Sequence, residues 1–233
     1  DKVTLALIGC GGRGRRFLEQ VDFVCDPDRN RLGRAAESAG VPAQNAVTDL
    51  RRILDNPAID GVIIATPDHW HAPAAILACE AGKHVYVEKP ISHNLRESRL
   101  LLDASNRHGR VVQHGTQRRS APFMLEAIAA LRDGIIGDVL VAKCWNIQMR
   151  DNIGHHQPTS PPPEVDYDLW VGPAEMMPYQ ENRFHRLWGW WYNFGTGDIG
   201  NDGCHELDYA RWRLGVDGLP HKVSVIGGKY YFE

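Results

Sequence analysis

An α/β fold, a parallel sheet wound with helices and followed by a second α/β unit, is predicted for this chain of 233 residues by three observations. Apolar runs of strand length alternate with helical stretches through the first half, the pattern of strand-helix-strand crossovers. A glycine-rich turn, Gly9-Cys10-Gly11-Gly12-Arg13-Gly14, follows the first run directly. The tripeptide Glu88-Lys89-Pro90 closes a later run, Val85-Tyr86-Val87, and sets a lysine at the carboxyl end of a strand.

The first strand is read at Val3 to Ile8 and the second at Phe23 to Cys25. Between them, each part of the turn has a physical task. Gly9, Gly11 and Gly14 allow a tight turn and close approach of a pyrophosphate, with Gly12 and Arg13 in the same loop, and the following helix offers its amino end to the negative charge. Asp26, seventeen residues beyond Gly9, closes the second strand and is placed to hydrogen-bond an adenosine ribose. Together these residues predict a Rossmann dinucleotide-binding domain. A carboxylate suits a free 2'-hydroxyl and repels a 2'-phosphate, so NAD is expected over NADP, with Arg13, Arg29 and Arg31 as the counter-indication. Asp26 is also placed to cap a helix whose first residue is Pro27, a structural role compatible with the first. Only eight residues separate Gly14 from Phe23, near the lower limit for a crossover helix; either that helix is unusually short or residues are missing there.

A further strand, Val62 to Ala65, leads into Thr66-Pro67-Asp68-His69-Trp70-His71, a loop at the carboxyl edge of the sheet. Thr66, Pro67, His69 and His71 are expected to line the cofactor. Two histidines at this spacing raise a zinc site, but no third ligand follows at metal-site spacing and Cys79 lies in an apolar helical pattern, so no metal is expected. A helix is read at Ala72 to Ala81, and the strand Val85 to Val87 follows. Pro90 has no amide hydrogen and holds the preceding residue extended, so Lys89 finishes a strand and turns its ammonium toward the ligand crevice, with Glu88 and Lys89 both in reach of the cofactor. A helix, Leu95 to His108, and a strand, Val111 to Gln113, complete a domain assigned to residues 1–120; Gln117 and Arg118, just beyond, are placed to meet substrate or nicotinamide.

Residues 121–233 read as a second unit for substrate binding and oligomerisation. A helix from Phe123 to Asp133 passes through Gly134 and Gly137 into a strand, Val139 to Asn146, and then a long polar loop with Pro158, Pro161, Pro162 and Pro163. If a helix starts near Asn201, then Asn201, His205 and Asp208 share one face, with Asp202 beside them. A histidine held by polar groups serves as a general base near neutral pH. A capped helix carrying a structural histidine accounts for the same residues. Arg183 and His185 are secondary candidates, and the tryptophans clustered from Trp170 to Trp212 are expected in a core. Lys222 to Ile226 and Lys229 to Phe232 read as strands of a sheet continuing past Glu233, so the chain is expected to be part of a longer one.

Composition narrows the partners. With 43% apolar and 24% charged residues the chain reads as soluble and globular, and a net charge of -3 with mixed signs gives no reason to expect nucleic acid. No apolar run approaches the roughly 18 residues of a membrane span, so no membrane partner is expected. Five widely spaced cysteines form no disulfide framework. A small molecule is the expected partner, and the cytoplasm the default compartment, with export left open because the chain starts almost at its first strand.

Three separated motifs, GCGGRG at 9–14, GKHVYVEKP at 82–90 and GTGDIGNDGCHELDYARW at 195–212, with TPDHWHAP at 66–73 between the first two, resemble the family of glucose-fructose oxidoreductase, inositol dehydrogenase and MocA-like proteins. The resemblance implies a second domain with an open, mostly antiparallel sheet that often forms the interface of a homo-oligomer, a dimer or tetramer. It further implies that Lys89 is the active-site lysine and His205 the catalytic histidine, with Asn201, Asp202, Gln117 and Arg118 near a sugar or polyol substrate. In the implied reaction NAD accepts hydride from a carbinol carbon, His205 removes the hydroxyl proton and Lys89 stabilises the alkoxide. Asn201 departs from the aspartate common among the family's polyol dehydrogenases. That departure admits NAD-assisted glycoside hydrolysis as an alternative; a non-catalytic nucleotide- or sugar-sensing protein is a separate one, against which the presence of both Lys89 and His205 argues.

Overall fold

The computed structural model describes residues 2–228. Six strands, β1 (Leu5–Ile8), β2 (Phe23–Cys25), β3 (Ala46–Val47), β4 (Gly61–Ile64), β5 (His84–Glu88) and β6 (Val112–Gly115), form one sheet in the order β3-β2-β1-β4-β5-β6. Every pairing is parallel. Strand order reverses between β1 and β4, and in open sheets of this kind the crevice at such a reversal is where ligands bind.

Both faces of the sheet are covered because the strand residues alternate and nearly all are apolar. Ala6, Ile8, Val62, Ile64, Val85 and Val87 pack with Ala75 and Ala78 of α3 (Asp68–Glu80) and with Leu101 and Ala104 of α4 (Leu95–His108). Leu7, Val24 and Ile63 face the other way, against Leu18 and against Leu32 and Ala35 of α1 (Arg29–Ala39), while Ile53 and Leu54 of the short α2 (Arg51–Leu54) belong to the first face. Asn94 starts α4 by accepting from the Glu97 amide, while Glu97 accepts in return from the His93 amide and the Asn94 side chain.

The short crossover after β1 is a 3-10 helix, Gly14–Gln20. Its seven residues rise about 14 Å, enough to return past a four-residue strand of about 13 Å, so the connection closes without added residues. Strand β3 escapes a periodicity argument because it has only two residues. The helix expected from Ala72 begins earlier, at Asp68, so the supposed loop from Asp68 to His71 is the first turn of α3, and Pro73 lies inside the helix, in its second turn.

After α5 (Pro122–Arg132) come α6 (Tyr167–Val171), α7 (Gly197–Asn201) and α8 (Gly203–Leu214). A separate apolar cluster, with Val165, Trp170, Val171, Phe184 and Phe194 at its centre, sits beside the sheet. Its chain is tied to the start of α1 by Arg29 N–H to Glu164 O at 3.1 Å and Asp166 N–H to Pro27 O at 3.0 Å. The strands expected at Val139 to Asn146 and Lys222 to Ile226 are absent: the parallel sheet expected of the first unit forms, but among the described residues the antiparallel sheet expected of the second does not. A strand needs a neighbour for its backbone groups, and neither segment finds one among the described residues; Leu140 and Val225 are 85% and 86% exposed. The strand expected at Lys229 to Phe232 lies outside the described residues.

Candidate active site

A cleft of about 1160 Å³ opens at the carboxyl ends of the strands. Gly9, Gly11, Gly12, Arg13, Asp26, Thr66, Pro67, His71, Glu88, Lys89 and Asn201 all line it. Gly14, His69, Gln117, Arg118, Asp202 and His205 do not.

At one end the glycine turn runs tightly against the β4 exit. Gly9 has φ +94°, and a Cβ there would lie 2.7 Å from the Ala65 carbonyl carbon. Gly14 stands outside the cleft but shapes it, because a Cβ on it would meet the Gly9 carbonyl oxygen at 2.0 Å. Asp26 is buried, and its two oxygens accept from the Cys10 amide at 2.8 Å and the Asp28 amide at 2.9 Å. Burial raises its pKa, opposed by those two amides and by the positive charge of Arg31. The helix cap is Asp28, which accepts from Asn30 and Arg31 amides, and not Asp26. Arg13 gives its Nε–H to buried Glu88 at 2.7 Å, and Tyr86 donates to the same oxygen at 3.1 Å. Thr66 Oγ1 is buried beside the cleft without a hydrogen-bond partner among the described residues. A backbone cradle that a Cβ would fill, an acid at the end of β2 and an orphan hydroxyl fit a dinucleotide.

At the other end Lys89 donates from Nζ to the Asn201 main-chain oxygen at 2.8 Å and to its side-chain Oδ1 at 2.5 Å. The expected shared helical face is interrupted, since α7 ends at Asn201 and α8 starts at Gly203. Asp202 pairs with Arg150 at 2.7 Å, and Asp208 accepts two hydrogen bonds from Arg119 at 2.8 and 2.7 Å, so both carboxylates are taken up by arginines, with the charge of Asp202 still felt at His205. His205 is buried just behind; burial lowers its pKa, followed by the positive charges of Arg118 and Lys89. Arg118 points to Glu206 at 3.1 Å, and Gln117 begins the 3-10 helix Gln117–Ser120, which carries both away from the cleft.

His69 is a correction of the same kind. Its ring nitrogens lie 3.3 Å from Phe194 O and 3.1 Å from Trp170 O, with the ring edge-on to both aromatics, so it anchors α3 in the aromatic cluster. Arg183 is buried over Trp191 and bonded to Pro178 O and Gln180 Oε1, a structural role. His185 does reach the cleft and donates to Asp28 at 2.9 Å, at the ribose end. Trp170 is buried as expected of a core residue, whereas Trp190 is 41% exposed and lines the cleft.

The family model "Oxidoreductase family, NAD-binding Rossmann fold" matches residues 3–116, and "Oxidoreductase family, C-terminal alpha/beta domain" matches residues 143–229. The chain belongs to the glucose-fructose oxidoreductase, inositol dehydrogenase and MocA family. Within this family it is 39% identical over 172 residues to a levoglucosan dehydrogenase of Pseudarthrobacter phenanthrenivorans, covering 74% of this chain and 37% of the relative. It is 32% identical over 226 residues to inositol 2-dehydrogenase 4 of Saccharopolyspora erythraea, covering 93% of this chain and 55% of the relative. The chain thus spans roughly a third to a half of these relatives' length. GenD2 of gentamicin A biosynthesis, solved in complex with NAD, shares the fold with a TM-score of 0.64 over 92% of this chain and 54% of that one, at 22% identity. The family model describes an NAD-binding Rossmann fold, and the cleft residues above fit that cofactor.

Some cleft residues of this family member carry no sequence signal. Arg150 lies in a segment without helix or strand, yet it chelates Asp198 at 3.0 and 2.8 Å as well as Asp202, and stands over Trp190. Only its spacing from the GTGDIGND acids could have hinted at a partner, and that spacing has no period. Among the described residues no group of three or more histidine, cysteine or acidic side chains is arranged to hold a metal, and no helix is long and apolar enough to cross a membrane.

The buried His69 makes stability depend on pH. Burial lowers its pKa to about 4, while the unfolded ring titrates near 6.5. Between these values the unfolded chain binds more protons, so stability falls as pH drops through that window. The stability advantage of wild type over His69→Phe is expected to shrink by about 2 kcal/mol between pH 7 and pH 5 in urea unfolding. An advantage that does not change with pH contradicts this.

Proposed function

We propose that this chain is the cofactor-binding and catalytic part of an NAD-dependent oxidoreductase that takes hydride from a carbinol carbon of a sugar or polyol. The observation that carries the proposal is the single cleft shared by the glycine turn, Asp26 and the Lys89 ammonium. We place the division between cofactor and substrate units near residue 120, beyond the last strand, and take the protein to act as a homo-oligomer. The names of the levoglucosan and inositol dehydrogenases support a sugar-like substrate.

Bound NAD supplies the hydride acceptor. The glycine-turn amides would hold its pyrophosphate, and Asp26, fixed to the Cys10 and Asp28 amides, would orient its ribose. Lys89, held by neutral Asn201 rather than by a carboxylate, keeps its full charge for the substrate oxygen. His205, buried just behind the Lys89 end of the cleft and within the electrostatic reach of Lys89, is the base we assign to the hydroxyl proton.

A base acts when deprotonated, and the pKa of His205 is lowered from 6.5. The rate constant kcat/KM is therefore expected to rise with pH along a limb centred below 6.5 and to level above it, and His205→Gln is expected to lose that limb. A limb centred above 6.5 removes His205 as the base. The function itself is tested by adding NAD and a panel of sugars and polyols to the protein and following reduced nicotinamide. Sustained reduction is expected; glycoside cleavage without net reduction, or NAD binding with neither reaction, contradicts the dehydrogenase.

A further inference from the structure

We infer that His71 is a positioning residue for Lys89, an inference that rests on the proposed role of that lysine. His71 is buried in the first turns of α3, lines the cleft and faces two main-chain oxygens. Nδ1 lies 2.6 Å from Pro90 O, and Nε2 lies 2.9 Å from Thr66 O. Carbonyl oxygens only accept, so the ring nitrogen at each contact must donate; a neutral ring serves one of them and a doubly protonated ring both. The shorter contact marks Nδ1 as the donor that matters. It grips the carbonyl of Pro90, the residue directly after Lys89, just beyond the end of β5.

The same helical turn reaches the other end of the lysine. Asp68 accepts from the Thr196 amide at 3.1 Å and from Thr196 Oγ1 at 2.7 Å, just ahead of α7. The last residue of α7, Asn201, holds the Lys89 ammonium. His71 thus sets where the main chain of Lys89 leaves the sheet, and Asp68 sets the helix that receives its charged tip. A loose lysine loses oriented charge at the reacting oxygen, which lowers turnover more than it weakens binding of either ligand.

Two substitutions separate positioning from packing, because the amide nitrogen of asparagine falls near the place of Nδ1 and that of glutamine near Nε2. His71→Asn keeps a donor for Pro90 O and is expected to hold kcat within about 3-fold of wild type. His71→Gln keeps a donor only for Thr66 O and is expected to lose kcat about 30-fold, with sugar KM and the NAD Kd changed less than 3-fold. Equal losses, or a greater loss in His71→Asn, overturn the inference. Should either variant fail to fold, nitrogen-15 NMR of histidine-labelled wild type decides: a hydrogen-bonded proton on Nδ1 supports it, and a proton on Nε2 alone overturns it. This second measurement needs no turnover, so it separates failure of the positioning role from failure of the dehydrogenase assignment.

Discussion

Replacing Lys89 with alanine is expected to lower kcat by about 100- to 1000-fold, the usual cost of removing one oriented donor from a site of developing negative charge. The NAD Kd is expected to stay within about 3-fold, because the glycine turn and Asp26 are untouched. Asn201 loses its partner in the variant, but Lys89 is only half-buried, so water replaces the ammonium at both oxygens and the fold survives. Arginine is no substitute, since its planar fork does not reproduce a point charge aimed at one oxygen. Steady-state kinetics with calorimetric NAD titration checks both halves. A variant with full turnover, or one that loses NAD and turnover together, contradicts the assigned role.

Gly14→Ala is expected to weaken NAD binding by at least about 100-fold, or roughly 3 kcal/mol, at the upper end of the cost of overpacking. The obstacle is backbone: the new Cβ would sit 2.0 Å from the Gly9 carbonyl oxygen, and no side-chain rotation relieves it. The 3-10 helix must then move away from the turn, taking with it the amides aimed at the pyrophosphate. Gly40→Ala serves as a control, because Gly40 ends α1 at φ +64° with nothing near its Cβ position. That variant is expected to lose about 1 kcal/mol of stability and no NAD affinity. Equal NAD affinity in Gly14→Ala and wild type contradicts this account of the turn.

Much of the cofactor half is legible from residues alone because local chemistry dictates it. An apolar run followed by glycines, an acid closing the next run and a proline stopping β5 each constrain the backbone within a few positions. Strand β3 is too short to carry a period, and Pro73 masks the true start of α3. The role of His69 was not legible, since its partners, Trp170 and Phe194, lie more than a hundred residues away. Pairings of charge were equally hidden: Asp202 and Asp208 read as partners for a histidine, yet the fold gives them to Arg150 and Arg119. Val139 to Asn146 has the composition of a strand and forms none, because a sheet is made by partners, and none is found among the described residues.

A crystal structure of the protein with NAD tests the central claim, that one cleft joins cofactor to Lys89, most directly. The pyrophosphate is expected over the turn from Gly9 to Gly14, a ribose hydroxyl on Asp26, and the nicotinamide at the end of the cleft where Lys89 meets Asn201. A nicotinamide bound away from Lys89, or NAD seated outside this cleft, would contradict it.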